Sequence, residues 1–106
     1  MCESTILSTK AATVISFCKC CNTLYIWHNN IMLSFTAEQF KSFKKYSEDL
    51  DLEDMLHDFP DMCERIILRT PHRDISFTFT LGEWYYFKEA MDEALYMLEI
   101  YSMIEG

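Results

Sequence analysis

The stretch FCKCCN, residues 17–22, gathers three of the chain's five cysteines into four positions. Cys18-x-x-Cys21, set in a tight turn between two strands, has the form of a zinc knuckle: the spacing aims both thiolates at one ion, and turn N–H groups stabilise their charge. A tetrahedral site needs two further ligands. Cys2, carried back beside the turn by the first segment, and Cys63 are the thiol candidates, with His28 and His57 as imidazole alternatives. Thioredoxin-like chemistry is excluded, because it requires a C-x-x-C at a helix N-terminus and the residues after Cys21 read as a strand. The same thiols also suit a plain packing role, since cysteine is readily buried as a small hydrophobe.

Other catalytic constellations are thin. Two of the three histidines, His28 and His72, fall at equivalent hairpin tips, where a solvated side chain is expected. Asp49, Asp51 and Glu53 echo the start of a calcium loop, but Asp54 stands where the central glycine is needed and Pro60 where the closing glutamate is needed. The chain has no glycine-rich phosphate loop, nucleophile elbow or H-E-x-x-H motif. Nothing in it argues for an enzyme.

The elements that must position the thiols belong to a chain of 106 residues, half of them hydrophobic, with only two glycines and two prolines. That composition fits one compact domain over 1–106. Seventeen acidic residues against nine basic give a formal charge of −8, which repels a phosphate backbone and excludes nucleic acid as a partner. Eight of the acidic groups fall between Glu48 and Glu64 with no Lys or Arg among them. The apolar run AATVISFC follows a single lysine and lacks a cleavage pattern, and no run reaches the ~18 apolar residues of a membrane span. The expectation is a cytoplasmic protein without a membrane partner, its thiols reduced.

Shifting the sequence by 44 positions lays IMLSFTAEQFKSFK (31–44) over ISFTFTLGEWYYFK (75–88), which suggests an internal duplication of units 12–50 and 63–106 joined by the acidic segment 48–62. Each unit reads as strand, turn, strand, helix. In the first, the Asn29-Asn30 turn sets a register with Ile26 opposite Leu33 and Leu24 opposite Phe35, all four on one face. In the second, Ile66, Leu68, Ile75, Phe77 and Phe79 point inward. Thr36 with Gln39 and Thr80 with Glu83 form capping boxes at both helix starts. The helices then present Phe40, Phe43 and Leu50, and Trp84, Phe87, Met91, Leu95 and Leu98. Leu52, Met55, Leu56 and Phe59 are expected in a short helical turn ending at Pro60, and residues 12–17 in an extra strand. The expected fold is α+β: an antiparallel sheet of about five strands with two long helices on one face.

A second helix from Leu81 to Ile104 would run about 36 Å, past strands of about 17–20 Å. Its end exposes Tyr96, Met97, Ile100, Met103 and Ile104, a surface suited to a homodimer or another protein partner. The outward sheet face, with Tyr25, Trp27 and Met32 beside Ile67 and nearby hydroxyls, suits a ligand or a second subunit.

The initial Met-Cys, the C-x-x-C-N at 18–22 and the helix entrance LSFTAEQF at 33–40 together resemble a family of small proteins of unknown function from Bacteroidetes. The resemblance is strongest over residues 1–45 and implies the same fold and an association of Cys2 with Cys18 and Cys21. It brings no known activity, and Cys20 adds a thiol inside the motif. The resulting expectation is a non-enzymatic cytoplasmic domain, a homodimer or interaction module. The alternatives are a zinc protein with a structural or regulatory cysteine site, and small-molecule binding on the outer sheet face.

Overall fold

The computed structural model describes residues 3–50 and 55–105. Four strands, β1 (Ser4–Lys10), β2 (Thr13–Cys18), β3 (Thr23–His28) and β4 (Ile31–Thr36), form an antiparallel meander and lead into helix α1 (Ala37–Glu48). A separate sheet in the order β5-β6-β7 follows, built from β5 (Leu56–Asp58), β6 (Glu64–Arg69) and β7 (Ser76–Phe79), and then helix α2 (Leu81–Glu105). The fold is α+β with two helices, but the expected single sheet of about five strands is corrected to two sheets of four and three strands.

Two strands account for the difference. β1 carries its apolar residues side by side, with Ile6 exposed and Leu7 buried, because a bulge between Ile6 and Ser8 breaks the pairing with β2. A strand interrupted in this way shows no two-residue period. β5 replaces the expected helical turn: Leu56, His57 and Asp58 pair with Ile66, Arg65 and Glu64. The chain then reverses through Phe59–Cys63, with the Met62 N–H donating to the Phe59 carbonyl at 2.9 Å. Leu52 lies outside the described residues.

Elsewhere the alternation holds. Ile26 pairs with Leu33 and Leu24 with Phe35, and all four side chains are buried. Ile66, Leu68, Phe77 and Phe79 are buried as well, whereas Ile75 is 39% exposed. It precedes β7 in a turn where its N–H donates to the His72 carbonyl and its own carbonyl accepts from the Thr70 hydroxyl. Both capping boxes are present: Gln39 and Glu83 accept from the backbone of Thr36 and Thr80, whose hydroxyls accept in return.

α2 lies along β1 and β2 and reaches β7, while α1 covers β3 and β4. Fully buried Ala90 and Ala94 let α2 come close to the sheet, close enough for the Ser8 hydroxyl to donate to the Ala90 carbonyl at 2.7 Å. Phe43 of α1 stacks on Phe35 at 5.3 Å between centroids. Lys44 links the helices, bonding Glu48 on α1 and Asp92 on α2, the latter at 2.9 Å.

The sheets meet at His28. Expected to be solvated at a hairpin tip, it is instead only 8% exposed, and its Nδ1 lies 2.9 Å from the Thr13 hydroxyl. Its ring stands edge-on to Phe77, Phe79 and Phe87 at 5.7, 5.0 and 5.9 Å. Contacts of this kind contribute about 0.5–1.5 kcal/mol each beyond their buried area. Burial lowers the His28 pKa below its ordinary 6.5, against the opposing pull of Glu83. The folded state therefore favours neutral imidazole, and this part of the stability is complete above about pH 6.5 and lost as pH falls through the lower folded value. Thermal midpoints measured from about pH 8 down to about pH 5 should fall below the unfolded His value, and His28→Gln should remove that component.

Candidate metal centre

β2 and β3 are joined by four residues, Lys19 to Asn22, with Cys18 and Thr23 paired at the base. The Asn22 N–H donates to the Lys19 carbonyl at 3.1 Å, and the Thr23 hydroxyl donates to the Cys21 carbonyl at 2.9 Å. Asn22 closes the turn at φ 51°, a left-handed conformation that asparagine tolerates far better than branched residues. The turn is thus held from both sides while its thiols converge.

Cys18 Sγ and Cys20 Sγ lie 3.5 Å apart, and the sulfurs of Cys18, Cys20 and Cys21 all fall within 4.8 Å of one another. A disulfide would bring two sulfurs to about 2.05 Å. Tetrahedral zinc with Zn–S bonds of about 2.3 Å places its thiolates about 3.8 Å apart. The turn therefore supplies three donors at the spacing of a zinc–thiolate site, with Cys18 buried and Cys20 and Cys21 exposed. Cys20, set aside in the sequence as an extra thiol inside the motif, belongs to the group.

The remaining sequence candidates lie elsewhere. Cys63 is exposed in the β5–β6 turn, where its N–H donates to Asp61 at 3.1 Å, and among the described residues it is not part of the thiol group. Cys2 lies outside the described residues. His28 is at the opposite end of β3 from the thiol turn, engaged with Thr13, and His57 sits on β5 opposite Arg65.

On the outer face of the four-stranded sheet, Trp27 and Met32 are exposed and Tyr25 is half-buried. At the end of α2, Tyr96 is 64% exposed and Met103 and Ile104 are each 74% exposed, while Met97 and Ile100 are half-buried and Met97 packs on the core. Two concavities stand out, and neither is lined by Tyr25, Trp27 or Met32. A groove of about 810 Å³ runs between α1 and the β6–β7 loop, past Phe43, Tyr46, Arg69 and Pro71. The other, about 660 Å³, has Phe17, Lys19 and Asn22 of the thiol turn on one side and Leu98, Tyr101 and Met103 of α2 among its other residues. The turn and the helix end therefore share one groove.

One family model matches residues 1–100, a span that takes in the thiol turn, both sheets and most of α2. The chain belongs to DUF6686, a family of unknown function. No curated protein and no solved structure matches it. Among the described residues of this DUF6686 chain, no helix is long and apolar enough to cross a membrane.

The backbone at Asn22 can be tested directly. Asn22→Gly should leave urea unfolding almost unchanged, whereas Asn22→Val should cost about 1–2 kcal/mol, because a β-branched residue resists positive φ.

Proposed function

We propose that this is a non-enzymatic cytoplasmic domain in which Cys18, Cys20 and Cys21 hold a structural zinc ion, with Cys2 as the fourth ligand. The observation that carries this reading is the convergence of three sulfurs within 4.8 Å on one turn. Cys2 is favoured over Cys63 because it lies only two residues ahead of Ser4 in the sequence, and Ser4 pairs with Cys18 at the base of the turn. Four thiolates close a zinc site and leave no position for substrate, so the ion serves structure rather than catalysis. It would tie Cys2 to the β2–β3 turn of the four-stranded sheet.

Protein purified without chelator or affinity metal should contain about one zinc per chain by elemental analysis. The Cys18→Ser/Cys21→Ser double variant should lose the metal and unfold at lower temperature. Cys2→Ser should weaken retention and Cys63→Ser should not. Metal-free protein whose stability is unchanged in the double variant would overturn the assignment.

A second reading, association through the end of α2, is favoured by the exposure of Tyr96, Met103 and Ile104. In this reading the chain is a homodimer or docks another protein along that helix. Solution mass at tens of micromolar should then exceed the monomer, and polar substitution of Ile100 and Met103 should restore it to the monomer. A monomer in both proteins would end this reading. Support for small-molecule binding at the Tyr25 and Trp27 face is weaker, since neither groove lies there.

A further inference from the structure

The three thiols are chemically unequal. Cys20 is exposed to solvent, Cys18 is 1% exposed, and their sulfurs are 3.5 Å apart. An oxidant arriving from solvent meets the two exposed thiols, Cys20 and Cys21, and of these Cys20 has the Cys18 sulfur 3.5 Å away, placed to react next. The two residues are separated only by Lys19, at the point where β2 enters the turn closed by the Asn22 N–H on the Lys19 carbonyl. Bond formation then requires the sulfurs to close from 3.5 Å to about 2.05 Å, a side-chain movement rather than a refolding of the hairpin.

We propose that the turn is a hydroperoxide-sensitive clasp in which Cys20 is the oxidised thiol and Cys18 the resolving one. The Cys20 thiolate attacks the peroxide O–O bond, giving Cys20–SOH and releasing hydroxide (or an alkoxide from an organic hydroperoxide). The Cys18 thiolate then attacks the Cys20 sulfur, forms the S–S bond and expels a second hydroxide. Two protons taken up from the buffer complete the balance: two thiolates are oxidised by two electrons in all, and one peroxide is reduced to two waters, or to water and an alcohol. One S–S bond removes two of the turn's three donors together, leaving Cys21 as its last thiolate, so the ion departs. Zinc release rests on the metal reading above; disulfide formation does not. Lys19 and Asn22 of the same turn line the groove shared with Leu98, Tyr101 and Met103 of α2.

The test treats the full-length chain, as purified, with a few equivalents of hydrogen peroxide and follows zinc release and tryptic peptides. Cleavage after Lys19 separates Cys18 from Cys20, so the bond appears as residues 11–19 linked to residues 20–41. The expected result is this linkage in the parent and in Cys21→Ser, its loss in Cys20→Ser, and a dimedone-reactive sulfenic acid on Cys20 in Cys18→Ser. Where the parent holds zinc, its release should track the linkage. Linkage surviving in Cys20→Ser, or no linkage in the parent, overturns the proposal. Zinc that stays bound through oxidation overturns the clasp while leaving the metal site standing; linkage in a protein that never held zinc upholds the thiol pair and ends the metal reading.

Discussion

Among the described residues the two sheets share no backbone ladder, and a contact that joins them within one core is the burial of His28 among Phe77, Phe79 and Phe87. The imidazole comes from the end of β3, the three phenyl rings from β7 and the start of α2. Neutral imidazole suits the place because its ring can meet phenyl faces edge-on while Nδ1 keeps a partner in the Thr13 hydroxyl. A purely apolar side chain would leave that buried hydroxyl without its partner, and a charged one would bring an unscreened proton into an aromatic pocket. α2 then extends the junction, passing from Trp84 and Phe87 beside β7 to Ala90, Met91 and Ala94 over the four-stranded sheet.

The thiol turn stands at the other end of β3, so the strand carries a structural histidine at one end and the base of the sulfur cluster at the other. The arrangement divides labour along six residues. At the His28 end, packing is dense and made entirely by side chains distant in sequence. At the Cys18 end the three thiols sit on one turn, with Cys18 buried and Cys20 and Cys21 exposed.

How much of this was legible in the sequence depended on whether the deciding interaction was local. The β3–β4 hairpin and its register followed from strict alternation at Leu24, Ile26, Leu33 and Phe35, and the helix starts from two capping boxes. α2 was readable over almost its whole length. β1 was not, because its bulge places Ile6 and Leu7 on different faces, and β5 was too short to show a period. The division into two sheets was hidden for another reason: alternation marks a strand but says nothing about which edge it joins. His28 was misread because its burial is decided by rings some fifty positions away. Cys20 was undervalued because the C-x-x-C spacing describes two thiols, whereas a four-residue loop with a left-handed Asn22 folds the intervening one toward them.

The hydrogen bond from Ser8 to the Ala90 carbonyl joins residues 82 positions apart. Hairpins β1–β2, β2–β3 and β3–β4 each close over a few residues and can form within microseconds, but the helix that covers β1 and β2 is brought in only by closing nearly the whole chain. Ile15 and Leu7, which end with almost no exposure, are covered in full only once that long closure is made. The bulge in β1 lies on the edge strand of the four-stranded sheet, where irregular pairing makes a poorer template for an added strand from another chain. The irregularity that hides the strand from view in the sequence is thus also what blunts the open edge of the sheet.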